Sequence, residues 1–415
     1  MALEHERHRL SGGTIVLARP LSTNDIVAVR AFTPMGTLYE SDAEAGVSSL
    51  MQNALVRGTA RRSAHELQEA LAELGADLDS GSGRHLGSVS LQATAATWER
   101  ALDLFLEVLT VPAFPAEEVA TEIELALGAI DAREDQPLAR ATDLFREQMF
   151  AGHPLHKPVL GYRETVRALD RESVLAASRR FYRPSPPVLA VAGRFDSERL
   201  VDRLERAFGD APIQPPLERP GPAHPRGGTR RLDVDREAAY LVHGFPAPDA
   251  RHADYPAARV LEAILGGSMS SRLFIELREK RSLAYQVSSY YDDQPGGGHV
   301  AAYIVTEPGR ADEAAVGLER EFQRFVDEPV SADELDMARR YLRGTYLISA
   351  ETNMAQAGRL ARYEVDGLGH DFGDRWLAAI EEVTADDVRA LARGRFTVEP
   401  TRARVVPRGT GEAAA

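Results

Sequence analysis

Arg278 and Tyr285 are two hydrogen-bond donors that lie seven residues apart, where the sequence changes from helical to strand-like spacing. Apolar residues repeat at helical spacing from Ser270 onward, and after Ser282 larger and smaller residues alternate into an aromatic run. A guanidinium and a phenol at such a junction can bind a peptide carbonyl, or stabilise the oxyanion that forms when that carbonyl is attacked. Spacing alone favours a structural alternative, in which Arg278 belongs to a charged surface patch and Tyr285 to the core.

A second polar set lies on the first helix that the sequence predicts, Ala45–Arg57, which ends at Gly58. The apolar stripe of this helix leaves Ser49, Gln52 and Asn53 on another face, at positions i, i+3 and i+4. As a solvated helix face these three residues are ordinary, and their spacing alone gives them no chemical role.

The predicted elements form two series of similar order. The first series comprises strands Gly13–Leu21 and Ile26–Thr33, helices Ala45–Arg57 and Ser63–Leu74, strand Ser88–Ala93, helices Trp98–Leu109 and Glu117–Arg133, and strand Val188–Gly193. After a segment that holds six prolines, the second series begins with strands Leu232–Val234 and Ala239–Gly244, helix Tyr255–Leu265 and a further helix from Ser270. A repeat offset of about 208 residues relates the two series. The sequence therefore predicts two similar α/β domains, residues 1–208 and 232–415, joined by a linker at 209–231.

Composition excludes several classes of function. The 415 residues include no cysteine, which excludes disulfides, thiolate metal sites and a cysteine nucleophile and fits a reducing compartment. A net charge of −14 argues against a nucleic-acid partner and favours basic ligands. Because the N-terminal residues have no apolar core and no apolar run reaches 18 residues, we expect a cytoplasmic protein without a signal peptide or membrane span.

A set of landmarks from about Gly13 to Val406 resembles the pitrilysin or insulinase family of zinc peptidases, the inverzincins. The similarity is to the branch that includes bacterial processing-protease homologues and mitochondrial processing peptidase. The landmarks are Gly46, Arg57-Gly58-Thr59, Pro112-Ala113-Phe114, Glu134-Asp135-Gln136-Pro137, Gly152-His153-Pro154 with Gly161, Ser271-Arg272-Leu273-Phe274, Leu277-Arg278-Glu279 and Leu283-Ala284-Tyr285. The resemblance implies an α+β fold of two homologous domains, each a mixed, mostly antiparallel sheet with helices packed on it.

The resemblance also implies that this chain has lost the zinc site of the family. Active members carry H-x-x-E-H on the first helix, where two histidines bind zinc and the glutamate activates water, and a distant glutamate is the third ligand. These positions fall on Ser49, Gln52, Asn53 and, for the third ligand, Ala129, while Glu122 matches an auxiliary acidic position. Serine and alanine do not bind zinc, and amides are poor ligands and no general bases. No H-x-x-E-H or H-E-x-x-H occurs elsewhere in the sequence.

Arg278 and Tyr285 match the arginine and tyrosine of the second domain, which in the family bind substrate and stabilise the tetrahedral intermediate opposite the zinc. In two-chain members one subunit supplies zinc and the other supplies this pair. The resemblance thus implies a non-catalytic subunit of a heteromeric zinc metallopeptidase, without a cofactor of its own. Its partner would be a homologous subunit bearing H-x-x-E-H and zinc, and its substrate an unfolded peptide held along a sheet edge.

Two alternatives from other classes stay open. A structural subunit, like the core proteins of respiratory complexes in this family, would form a complex whose function does not depend on Arg278 and Tyr285. A stand-alone peptide-binding homodimer would bind peptides without a zinc partner and without hydrolysis.

Overall fold

The computed structural model describes residues 4–182, 187–210 and 217–409. Strands in these ranges are β1 (Glu6–Arg9), β2 (Ile15–Pro20), β3 (Ile26–Pro34), β4 (Asp77–Ser82), β5 (Leu86–Thr94), β6 (Val188–Gly193), β7 (Gly228–Val234), β8 (Ala239–Pro246), β9 (Gln286–Asp292), β10 (His299–Thr306) and β11 (Thr401–Pro407). The α-helices are α1 (Val47–Leu55), α2 (Ala64–Glu73), α3 (Trp98–Thr110), α4 (Ala116–Glu134), α5 (Pro137–Met149), α6 (Arg163–Ala168), α7 (Arg171–Tyr182), α8 (Ser197–Phe208), α9 (Tyr255–Gly266), α10 (Ala311–Asp327), α11 (Ala332–Ile348), α12 (Asn353–Val365), α13 (Phe372–Glu382) and α14 (Ala385–Arg395). Short 3₁₀ turns are Thr37–Tyr39, Asp42–Glu44, Pro154–His156 and Pro308–Arg310, and Phe274–Lys280 is a π-helix.

The strands form two mixed sheets with the same internal order. Sheet one has the order β1-β2-β6-β3-β5-β4, in which β2 and β6 are parallel and the other neighbours are antiparallel. Sheet two has the order β7-β11-β8-β10-β9, in which β7 and β11 are parallel and the other neighbours are antiparallel. Apart from the additional edge strand β1, the two sheets match strand for strand. The predicted α+β fold of two mixed, mostly antiparallel sheets with packed helices is therefore confirmed.

Two compact units contain these sheets, and each unit draws on both halves of the chain. Unit one comprises Met1–Ile130, Lys157–Pro220 and Leu347–Asp374. Unit two comprises Asp131–His156, Gly221–Tyr346 and Arg375–Ala415.

This division differs from the predicted domains 1–208 and 232–415, which follow the internal repeat. Residues 131–156 lie with the second sheet and residues 347–374 with the first. The predicted linker at 209–231 contains the boundary between Pro220 and Gly221, includes residues 211–216 outside the described ranges, and overlaps the start of β7.

Helix α12 completes unit one by covering a face of sheet one. Leu360 is fully buried in an apolar cluster with residues from β2 and β6. The members of this cluster are Leu17, Val188, Ala190, Ala192, Ala357, Leu360 and Ala361. The small alanines on both elements allow the helix to approach the sheet closely, so sheet one is covered by residues from the far end of the sequence.

Helix α5 has the corresponding place in unit two, where it packs against β7, β8 and β11. The ring of Phe145 lies so close to Gly244 on β8 that a Cβ atom built there would be 2.8 Å from its Cζ atom. Glycine at this position therefore makes room for the buried aromatic ring of the exchanged helix.

We expect Leu360→Ala to destabilise unit one by about 3 kcal/mol, because it removes a buried side chain and leaves a cavity between α12 and sheet one. The matched control is Leu347→Ala on α11, where the leucine side chain is 47% exposed. Chemical denaturation should show an earlier transition for Leu360→Ala alone, and equal midpoints for the two variants would contradict the packing described.

Candidate functional site

A buried network holds the beginning of α1, the helix that carries the predicted zinc-motif positions. The Glu40 carboxylate accepts hydrogen bonds from the backbone N–H groups of Gly46 at 3.1 Å and Ser48 at 2.8 Å. Lys157, from the loop before α6, donates from Nζ to the Glu40 carbonyl oxygen at 2.6 Å. Burial raises the pKa of Glu40, while the Ser48 and Gly46 hydrogen bonds and the Lys157 charge oppose the rise. The landmark segment around Lys157 thus has a structural role at the helix N-terminus.

Gln52, at the position that the resemblance assigns to the catalytic glutamate, is fully buried and bonded through both ends of its amide. Its Nε2 donates to the carbonyl oxygens of Gly81 at 3.2 Å and Ser88 at 3.0 Å. Its Oε1 accepts from the Tyr182 hydroxyl at 2.5 Å. Burial raises the pKa of Tyr182, which keeps the phenol protonated as the donor. An amide satisfies this site because it offers both donors and an acceptor, which a carboxylate does not.

The other predicted ligand positions carry neither a histidine nor a carboxylate, and the auxiliary Glu122 is paired with an arginine. Ser49 is buried on α1, Asn53 is half-buried on the same helix, and Ala129 is exposed on α4 with only a methyl group. Glu122 is buried, and its Oε1 accepts from Arg57 Nε at 2.6 Å. No group of three or more histidine, aspartate or glutamate side chains in the described ranges could hold a metal ion. The donor set at this helix therefore does not fit zinc.

Arg278 lies in the last turn of the π-helix and its side chain is exposed. The guanidinium carbon lies 5.0 Å from the centroid of the Phe274 ring, close enough for a cation–π interaction. The sequence predicts a helix here and the structure contains one, but the turns are wider than those of an α-helix. Such π-helical turns occur often at functional sites.

Tyr285 immediately precedes β9, as predicted, and its side chain is 61% exposed. The structural alternative that places this phenol in the core is therefore wrong. Its backbone N–H donates to the Val305 carbonyl at 2.9 Å, and its hydroxyl lies 3.4 Å from Glu307 Oε1. Partial desolvation and the negative charge of Glu307 raise the pKa of the Tyr285 phenol. The shift favours the protonated hydroxyl, which is placed to donate to Glu307.

Arg272, in contrast, is a structural member of the landmark segment before Arg278. It is buried and donates to both oxygens of Glu334 on α11, at 2.6 and 3.0 Å. Its guanidinium carbon lies 4.3 Å from the centroid of the Phe325 ring. Partial burial raises the pKa of Glu334, but the hydrogen bonds from Arg272 and Ser331 and the Arg272 charge outweigh this effect and lower the pKa to about 2. Arg272 therefore anchors the start of the π-helix to its neighbouring helices.

Sequence reasoning missed Glu307 and Arg310, which contact the segment between Arg278 and Tyr285. Arg310 donates to the carbonyl oxygens of Ser282 at 2.8 Å and Arg281 at 3.2 Å. Both residues follow β10, more than twenty positions away in the sequence, and no local pattern marks them.

Two family models match successive parts of the chain. Residues 15–163 match the model described as insulinase, peptidase family M16. Residues 168–342 match the model described as peptidase M16 inactive domain. The chain belongs to the insulinase, or M16, family of peptidases.

Several relatives match over nearly the full length. An uncharacterized zinc protease of Streptomyces coelicolor is 29% identical over 409 residues, covering 97% of this chain and 89% of the relative. An uncharacterized zinc protease of Mycobacterium tuberculosis is 28% identical over 397 residues, covering 94% of this chain and 91% of the relative. A crystal structure of a peptidase M16 inactive domain from Pseudomonas fluorescens has a TM-score of 0.91 at 22% identity, covering 98% of both chains. The crystal structure of a protease from Helicobacter pylori has a TM-score of 0.91 at 18% identity, covering 98% of this chain and 100% of that chain.

We expect Gln52→Glu to lower the free energy of unfolding at neutral pH by about 1–3 kcal/mol, because a carboxylate would face the carbonyl oxygens of Gly81 and Ser88. The loss should shrink below about pH 5, where a protonated carboxyl can donate to one of them. Denaturation at both pH values measures this, with Asn53→Asp as the control for a new charge on α1. A Gln52→Glu variant as stable as the parent at neutral pH would contradict the bonding described for this amide.

Glu307→Gln should lower the pKa of the Tyr285 phenol, because it removes the adjacent negative charge that disfavours the phenolate. The measurement is a pH titration of the tyrosinate absorbance. Subtracting the titration of Tyr285→Phe leaves the contribution of the Tyr285 phenol, separated from that of the other tyrosines. Glu313→Gln, which removes a carboxylate on α10 that bonds to Arg281 and Arg310 rather than to the phenol, is the control. An unchanged titration in Glu307→Gln would show that the carboxylate does not act on Tyr285.

Proposed function

We propose that this chain is the zinc-less subunit of a heteromeric zinc peptidase and supplies Arg278 and Tyr285 to the active site of its partner. The observation that carries the proposal is a contrast between the two units. In unit one the position of the catalytic glutamate is a buried amide bonded to protein groups, whereas in unit two the arginine and the tyrosine are exposed. Family membership supplies the reaction, hydrolysis of a peptide bond.

The partner in this proposal is a homologous chain with H-x-x-E-H on its first helix. That chain binds zinc and activates the water, and Arg278 and Tyr285 contact the peptide carbonyl and the developing oxyanion. A phenol suits this role, since it is protonated at neutral pH and donates one hydrogen bond.

The substrate in this proposal is an unfolded peptide that adds to a sheet edge through backbone hydrogen bonds. Strands β4 and β9 are edge strands of their sheets, and β9 begins one residue after Tyr285. The net charge of −14 favours basic peptides. The absence of cysteine supports a reducing compartment such as the cytoplasm as the place of action. In the part of the chain that the structure describes, no helix has the length and apolarity needed to span a bilayer.

Metal analysis, native mass and peptide hydrolysis of the purified chain, alone and mixed with an H-x-x-E-H homologue, test the proposal. We expect neither zinc nor hydrolysis from the chain alone, and a one-to-one complex that hydrolyses peptide. Stoichiometric zinc and hydrolysis from the chain alone would overturn the proposal. A homodimer that binds peptide without a partner, or a complex without peptide hydrolysis, would favour the peptide-binding or the structural alternative.

Within the active complex, Tyr285→Phe should lower kcat by about 10–1,000-fold, because one oxyanion donor is lost. Tyr341→Phe on α11 is the matched control, since that phenol is also partly exposed but lies outside the Arg278 and Tyr285 segment. Equal kcat values for the complex with and without Tyr285→Phe would refute the assigned role.

A further inference from the structure

The turn between the π-helix and β9 contains a strained residue. Ser282 has φ of +48°, a left-handed conformation that a residue with a Cβ atom adopts at a cost. Its N–H donates to the Arg278 carbonyl at 3.1 Å, and the next residue, Leu283, donates to the Leu277 carbonyl at 2.7 Å. This conformation ends the helix after Arg278 and directs the chain toward Tyr285.

The Arg310 side chain binds this turn. Its guanidinium donates to two successive carbonyl oxygens, those of Arg281 and Ser282, at 3.2 and 2.8 Å. The side chain is half-buried, and Glu313 accepts from its Nε at 3.2 Å. Glu313 also accepts from Arg281 at 2.9 Å. A charged donor that bonds to both carbonyls stabilises the left-handed conformation between them.

We propose that Arg310 is a positioning residue that holds Ser282 in its left-handed conformation and thereby sets the placement of Arg278 relative to Tyr285. This inference rests on the proposed function for its effect on catalysis. The short segment after β10 then contacts the surroundings of both Arg278 and Tyr285. Glu307 lies beside the Tyr285 hydroxyl, and Arg310 bonds to the turn that follows Arg278.

The rest of the turn offers weaker restraints. Leu277 is buried beside Gly317 of α10, where a Cβ atom would lie 2.7 Å from its Cδ2 atom, so the body of the π-helix is fixed by packing. Ser282 itself is exposed, while the next residue, Leu283, is buried and bonded through its N–H to the Leu277 carbonyl. Besides the backbone bonds of the turn, the contacts from Arg310 are the charged side-chain bonds to the two carbonyls that flank the Cα atom of the strained residue.

Arg310→Met tests the inference, because methionine keeps an unbranched side chain of similar length but donates no hydrogen bond. In complex with the zinc-bearing homologue, we expect this variant to lower kcat about 10- to 100-fold with a smaller change in KM, as misplaced catalytic groups do. Arg320→Met, an exposed arginine on α10, is the control and should leave kcat unchanged.

Rescue by glycine separates positioning from general damage. Glycine adopts a positive φ without strain, so Ser282→Gly combined with Arg310→Met should recover kcat to within about 3-fold of the parent complex. A variant that is merely unfolded would not be rescued by this substitution. An unchanged kcat in Arg310→Met, or a double variant no more active than Arg310→Met, would overturn the inference.

Hydrogen exchange in the chain without its partner gives a readout that does not need hydrolysis. The Leu283 amide should exchange at least about 10-fold faster in Arg310→Met, and the double variant should return toward the parent rate. If the parent complex does not hydrolyse peptide, the proposed function fails, and the exchange rates alone decide whether Arg310 holds the turn. Equal exchange rates in parent and Arg310→Met would overturn that assignment.

Discussion

The packing of α12 against sheet one is the contact on which the organisation of the chain depends. Leu360 and its alanine neighbours bury the face of the sheet that the local helices leave open. Helix α5 has the matching place on sheet two, beside Gly244. Each unit is thus completed by a helix that lies beyond the repeat to which its sheet belongs. Neither sequence half contains all the apolar surface needed to cover its own sheet, which makes folding of the two halves interdependent.

The same duplicated framework supports two chemically different sites. In unit one α1 is held by Glu40 and Lys157 at its start and by Gln52 along its length, and the Gln52 amide is bonded to protein groups. In unit two the guanidinium and the phenol project from a π-helical turn and from the start of an edge strand. The same framework thus carries a neutral amide with internal hydrogen bonds in one unit and exposed hydrogen-bond donors in the other.

The spacing of apolar residues is sufficient to predict helices and strands that have a regular apolar face. It does not predict elements that lack such a face. Helix α1 and strand β3 were predicted within a few residues because their buried positions repeat regularly. Strand β4, with the sequence DLDSGS, was missed because it is polar and depends on its partner β5 for its conformation. The exchange of α5 and α12 could not be predicted, since local patterns show which face is apolar but not which sheet covers it. Arg310 was missed for the same reason, because its bonds join distant segments.

The burial of Lys157 has a practical consequence for covalent labelling. The sequence contains two lysines, and the other, Lys280, has a side chain that is 61% exposed and lies two residues after Arg278. The Lys157 amine is 1% exposed, so amine-reactive reagents reach one lysine side chain in the folded chain. The α-amino group titrates about two pH units below lysine and can be blocked first at neutral pH. A fluorophore can therefore be placed next to the arginine of the candidate site in the native sequence, without an engineered cysteine.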